Sequence, residues 1–156
     1  MRAILCAVAL VFGVSMVRAE SAKVEIKDLP KALVESLKKR FPKGELTAAT
    51  KETVEKKTTY EVSVKSDGLN HDVNLNDDGA ITGIEKEVAI KDLPKAVAAT
   101  IAEKYPKNKV SKAEEVITVK DGKETTEYFE VFVEVDGKDV EVEVLPDGKL
   151  KPMDKK

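Results

Sequence analysis

The chain has 156 residues, 36% of them charged, with 27 Lys and Arg against 29 Asp and Glu and a formal net charge of −2. Charges of both signs are interspersed, which argues for solubility and against nucleic acid as a partner, since phosphate binding calls for a basic surface. One histidine and one cysteine leave no zinc site and no recognisable nucleophile arrangement, so an enzyme is the least favoured class.

The N-terminal residues Met1-Arg2 are followed by an apolar run from Ala3 to Val17 and by Val17-Arg18-Ala19, ahead of a charged stretch that begins at Glu20. A short basic start, an apolar middle and small or aliphatic residues before the cut are what a secretion signal requires, so residues 1–19 are expected to be removed after Ala19. A retained membrane helix needs about 20 apolar residues, more than this run supplies, and no membrane insertion is expected once the leader is gone. Cys6 leaves with it. The exported part, residues 20–156, then has neither thiol nor disulfide and depends on its core alone. Loss of Arg2 and Arg18 takes the balance to 25 basic against 29 acidic side chains.

Ile26-Lys27-Asp28-Leu29-Pro30-Lys31-Ala32 recurs as Ile90-Lys91-Asp92-Leu93-Pro94-Lys95-Ala96, sixty-four positions later. The offset becomes sixty-nine where Tyr60 to Val64 aligns with Phe129 to Val133, and Asp67-Gly68 with Asp136-Gly137. Five extra residues therefore lie around Asp121-Gly122-Lys123, where a hairpin lengthens at little entropic expense. Two modules follow, over residues 20–87 and 88–156. Each begins with a helix, with Asp28 or Asp92 as cap and Pro30 or Pro94 just inside the first turn. Leu29, Leu33, Leu37 and Phe41, and then Leu93, Val97, Ile101 and Tyr105, recur every four residues as one apolar stripe. Pro42 and Pro106 end the helices.

Beyond each helix the apolar period drops to two. Tyr60, Val62 and Val64 alternate with polar residues, as do Phe129, Val131 and Val133, then Val140, Val142 and Val144. Asp-Gly steps at residues 67, 78, 121, 136 and 147 mark the turns. The fold class is α+β: two tandem modules of one helix and about four antiparallel strands. A strand from about Ile81 to Ile90 fuses the half-sheets into one sheet with both helices on one face.

Strand phase sets out the candidate site. If Phe129, Val131 and Val133 face the helices, then Tyr128, Glu130, Phe132 and Glu134 face away, as do Asp139, Glu141, Glu143 and Leu145 on the next strand. Two aromatic residues among carboxylates form a recognition patch for a protein partner of basic character. The first module offers Glu61, Ser63, Lys65, Asn70, Asp72 and Asn74 there, with no aromatic residue. A second pattern, Asn74, Asn76, Asp78 and Glu85 with Gly79 at the turn, has the oxygen spacing of a calcium loop, although the strand-like residues before it favour a plain hairpin. His71 lies in phase with Val73 and Leu75, as an inward strand residue matched by Val140 in the second module. No catalytic residue and no cofactor is expected, and the chain is expected to be a monomer.

The Asp-Leu-Pro-Lys-Ala run, a short helix ending in Phe41-Pro42 or Tyr105-Pro106, the Lys112 to Glu115 strand start, Phe129-Glu130-Val131, Asp136-Gly137-Lys138 and Pro146-Asp147-Gly148 together resemble the PepSY-like domains grouped with the β-lactamase-inhibitor proteins. The resemblance spans the exported part twice. It implies an exported, non-catalytic protein of bacterial type, periplasmic or secreted, with an antiparallel sheet open on the side away from its helices. In the inhibitors that open face grips an enzyme, which makes an exported hydrolase a partner class. This chain departs from them in lacking disulfides and in having only six aromatic residues after the leader. The alternative class is a structural envelope protein or a carrier of a small ligand or calcium, which calls for an enclosed pocket.

Overall fold

A computed structural model describes residues 20–152, so the leader expected over residues 1–19 lies outside the described residues. Among the described residues no helix is long and apolar enough to cross a membrane. The described residues form two α-helices, α1 over Lys31–Arg40 and α2 over Lys95–Lys104. Their starts correct the expected caps. Asp28 and Asp92 close separate 3₁₀ turns, Ile26–Asp28 and Ile90–Asp92, and the helices begin one residue after Pro30 and Pro94, with no side-chain cap hydrogen bond. A residue before proline is driven out of helical geometry, and Leu29 (ψ 140°) and Leu93 (ψ 142°) are extended, which separates each aspartate from its helix. The far ends are as read, with the Phe41 and Tyr105 amides closing on the Leu37 and Ile101 carbonyls just before Pro42 and Pro106.

Eight strands form one sheet in chain order: β1 Glu20–Lys23, β2 Glu45–Val54, β3 Lys57–Ser66, β4 Leu69–Asn76, β5 Ile81–Glu87, β6 Lys109–Lys120, β7 Lys123–Val135 and β8 Lys138–Val144. Every neighbouring pair is antiparallel, so the class is α+β. β5 ends at Glu87, short of the expected Ile90, which opens the second 3₁₀ turn. β1 was not legible in the sequence, because its four residues show no alternation. The β2–β3 turn carries no Asp-Gly signal either, and Glu55 and Lys56 hold φ of 49° and 70° there. At Asp67-Gly68, Asp121-Gly122 and Asp136-Gly137 both residues have positive φ, the geometry whose twist matches a two-residue hairpin.

The repeat extends to irregular features. Thr47 is an extra residue in the β2–β3 ladder and its hydroxyl donates to the Ser63 carbonyl. Ser111 bulges in the β6–β7 ladder and donates to the Phe132 carbonyl in the same way. The β6–β7 hairpin, residues 109–135, is five residues longer than its counterpart over residues 45–66, as the change of offset required.

Two buried clusters hold these elements. Leu33, Leu37 and Phe41 gather with Val62, Val64, Val73 and Leu75, while Val97 and Ile101 gather with Val131, Val133, Val142 and Val144. Each such side chain contributes roughly 1.5–3 kcal/mol when fully buried. The first cluster also takes Ile84 from β5 and Ile117 from β6, so it draws on strands from both halves of the sequence.

Candidate functional site

β7 and β8 bring the patch residues together through the pleat. Phe129, Val131 and Val133 are buried, so the alternate residues Tyr128, Glu130, Phe132 and Glu134 lie on the opposite face. Across the β7–β8 ladder Glu130 faces Glu143, Phe132 faces Glu141 and Glu134 faces Asp139. On the other side of β7, Glu114 faces Glu130.

The result is a crowd of carboxylates with Glu130 at its centre. Oxygen atoms of Glu85, Glu114 and Glu130 lie within 4.8 Å of one another, and those of Glu130, Glu141 and Glu143 do the same. Burial, then the charges of Glu130, Glu114, Asp72 and Glu61, push the Glu85 carboxyl up to about 7. Glu130 is raised by burial and then by Glu141 and Glu114, and Glu61 by burial and Asp72. Like charges this close add to burial in disfavouring ionisation of Glu85, Glu130 and Glu61.

Two lysines answer this crowding. Glu114 is only 5% exposed, a burial that a carboxylate tolerates only with a partner, and Lys112 Nζ lies 2.8 Å from it and 5.5 Å from the centre of the Phe132 ring. Burial opposes the Lys112 charge, but the Glu114 hydrogen bond and charge outweigh it and raise its pKa. Lys151 Nζ lies 3.0 Å from Glu143 and 3.6 Å above the Tyr128 ring. Each aromatic residue of the patch thus already carries an ammonium group on its face. Sequence reading missed Glu114, Lys112 and Lys151 as parts of the patch, and it placed Glu85 in a different site. Phase along β6 gives the first two once β6 is paired with β7. Lys151 lies beyond the last strand and carried no signal.

The oxygen ligands read for calcium do not converge. Asn74 and Glu85 sit in β4 and β5, opposite Gly83 and Asp72, and Asp78 Oδ1 is taken by the Ala80 amide in the turn. Glu85 lies four extended residues beyond Ile81, about 13 Å along the strand from the Asn76 and Asp78 turn, so the segment is a hairpin. Its glycine has a second task. A Cβ at Gly79 would come within 2.8 Å of the Ala32 carbonyl in α1, and one at Gly148 within 2.9 Å of the Ala96 carbonyl in α2.

His71 is buried on β4, in phase with Val73 and Leu75 as read. It borders a cleft of about 360 Å³ lined also by Arg40, Phe41, Lys86, Glu115 and Thr126. Its ring lies 5.0 Å from that of Phe41, and its Nδ1 has no hydrogen-bond partner among the described residues. Burial, then the charge of Lys86, holds its pKa below the usual histidine range. Both cations of the cleft are taken, Lys86 by Glu115 at 3.4 Å and Arg40 by Glu124 at 2.8 Å.

With this geometry in place, comparison with known proteins fixes the family. The model of the family described as "Putative beta-lactamase-inhibitor-like, PepSY-like" matches residues 15–82 and again 60–151. The chain belongs to the PepSY-like family. The two matches overlap over residues 60–82, so both take in most of β3 and all of β4. Among solved structures, a BLIP-like protein from Bacteroides fragilis shares 22% identity over 79% of this chain and 83% of its own, with a TM-score of 0.58. A DUF2874 family protein from Bacteroides uniformis (16% identity, 78% and 85% covered, TM-score 0.60) is similar in the same way. So is a "putative periplasmic" protein from Bacteroides eggerthii (14%, 78% and 84%, TM-score 0.62). At these identities the likeness is one of PepSY-like fold. No curated protein matches the chain significantly. The PepSY-like match brings with it no catalytic family.

Proposed function

We propose that the chain is an exported, non-catalytic binding protein of two tandem modules, residues 20–87 and 88–156, that holds a basic protein partner on the helix-free face of its sheet. Register supports a single helix-bearing face. Val62, Val73, Ile84 and Ile117 follow one another across β3 to β6, and on β6 the in-phase residues Glu115 and Ala113 face Phe129 and Val131. The residues that meet α1 and those that meet α2 therefore share one pleat phase. The leader expected from the sequence and the description of the Bacteroides eggerthii neighbour support a periplasmic or secreted location.

The observation that carries the reading is the crowding of Glu85, Glu114, Glu130, Glu141 and Glu143 around Tyr128 and Phe132. Carboxylates whose pKa is raised by burial and by neighbouring carboxylates, as at Glu85 and Glu130, gain from an approaching cation, and the pairing of Lys151 with Glu143 and Tyr128 supports a cation as the complementary group. The family description makes an exported hydrolase a fitting partner class. The cleft beside His71 is crossed by two ion pairs and suits a small apolar ligand poorly. The Tyr128→Ala, Phe132→Ala double variant, folded normally, is expected to lose the partners that the unaltered chain captures from the exported fraction. Capture of the same set by the variant overturns the reading.

A further inference from the structure

β8 is the last strand of the sheet and pairs with β7 on one side alone. The chain's short return segment touches its other side at one end, where the Lys151 amide donates to the Glu143 carbonyl and the Leu145 amide to that of Lys149. Backbone groups of alternate residues point to the same side of a strand, so those of Asp139 and Glu141 also point off this edge. Among the described residues nothing bonds them. The opposite edge of the sheet is the four-residue β1, short enough to deter pairing, whereas β8 runs for seven residues.

The repeat says what belongs there. β4 occupies the equivalent place in the first half and is covered on this side by β5, with His71 opposite Lys86 and Val73 opposite Ile84. His71 is 8% exposed under that cover, whereas Val140, sixty-nine positions on, is 37% exposed. Leu150, the counterpart of Ile81, is 41% exposed at the same edge. Leu150 and Lys151 also define the side chains such a strand needs. Leu150 bridges to Val144 on the inward face, and Lys151, the next residue, reaches Glu143 and the Tyr128 ring on the outer face. Continued along β8, that alternation sets apolar side chains beside Val142 and Val140 and basic ones beside Glu141 and Asp139, next to Phe132. An acidic side chain there would add like charge beside Glu141, whose carboxylate oxygen already lies within 4.8 Å of those of Glu130 and Glu143.

We propose that the free edge of β8, from Asp139 to Val142, accepts an added strand from a protein partner, an extended segment alternating apolar and basic side chains. This rests on the reading of a basic partner and names how that partner is engaged: main-chain bonds to Asp139 and Glu141 give the docking, and the outer-face carboxylates select the charge.

The test uses the chain with a ten-residue peptide alternating valine and lysine. The controls are a peptide alternating valine and glutamate and one with the valines and lysines in two blocks. The alternating basic peptide is expected to bind at least tenfold more tightly than either control and to slow exchange of the Asp139 and Glu141 amides at least tenfold. Glu141→Pro removes an amide that β7 does not use and is expected to weaken binding tenfold or more, whereas Glu141→Gln, which keeps the amide, weakens it about threefold at most. Asp139→Pro, at the strand start, serves if Glu141→Pro does not fold. Equal binding by the proline variants overturns the proposal. If the Tyr128→Ala, Phe132→Ala variant still loses its partners, the outer-face reading survives that failure. Protection of the two amides in the free chain also overturns the proposal. Protection independent of concentration assigns the edge to residues 153–156, and protection rising with concentration assigns it to a second copy.

Discussion

Arg40, the last residue of α1, grips Glu124 beside the turn of the lengthened β6–β7 hairpin through two side-by-side hydrogen bonds of 2.8 and 3.2 Å. The five residues that change the repeat offset extend the hairpin that carries Glu124 to the end of α1. The pair also borders the groove in which Ile81 and Val119 meet the first core. Both side chains are close to half exposed, so the bond is worth about 1 kcal/mol or less. Glu124→Ala is expected to lower stability by no more than that while speeding amide exchange from Val119 to Lys123. Arg40→Lys is expected to do the same, because an ammonium group cannot form the two-pronged contact.

Gly79 and Gly137 separate two reasons for glycine at a turn. Both have positive φ, 88° and 76°, but a Cβ at Gly137 meets nothing within 4 Å, whereas one at Gly79 strikes the Ala32 carbonyl. Gly137→Ala is expected to lose about 1 kcal/mol from backbone strain. Gly79→Ala adds a clash with helix backbone that cannot move aside, and about 3 kcal/mol is expected. Denaturant midpoints of the two variants measure the difference.

These turns also show how far sequence carries. Asp-Gly at residues 67, 121 and 136 encodes its own geometry, since positive φ is a local demand that glycine announces. The approach of Gly79 to Ala32 and of Gly148 to Ala96 is tertiary, and the same dipeptide gives no hint of it. The apolar stripes of the helices and the period of two in β3, β4, β7 and β8 were legible, because each face meets a single environment. β1 and the Glu55-Lys56 turn were not, for they are held by pairing with β2 and β3 and not by residue preference. In the outer patch, strand phase gave Tyr128, Glu130, Phe132, Glu134, Glu141 and Glu143 their face. Glu85 and Glu114 joined them only through the β5–β6 and β6–β7 register, which no single strand contains.

That register predicts joint unfolding of the two cores. Ile84 and Ile117 sit on β5 and β6, yet both complete the cluster beneath α1. Leu33 and Val131 are fully buried in different clusters, and cutting either to alanine leaves a void. Leu33→Ala is expected to cost about 3 kcal/mol and Val131→Ala about 2 kcal/mol. Each variant is expected to shift one calorimetric transition with its shape intact. Two resolved transitions in either variant would show that the cores melt separately.

The pH dependence of stability follows from Glu85 and His71, which act in opposite directions. The Glu85 carboxyl titrates at about 7 in the fold against 4.5 when free, so between those values the folded chain holds more protons than the unfolded one. Its contribution to stability is therefore lost as pH rises from about 5 to about 8. With the group partly open to solvent, about 1 kcal/mol is expected after screening. His71 titrates below its free value of 6.5, so the stability of its neutral form is held above that pH and lost as pH falls through its folded pKa. Melting temperature is expected to decline from mild acid to pH 8. Glu85→Gln should flatten that decline without altering the fall in acid, and His71→Leu should flatten the fall in acid alone. A cationic partner that neutralises the outer-face cluster should remove the Glu85 slope as well, and its binding should strengthen as pH rises through 7. Equal slopes in the unaltered chain and in Glu85→Gln would mean that burial and carboxylate crowding together do not hold Glu85 protonated, and the crowding would then supply no attraction for a basic partner.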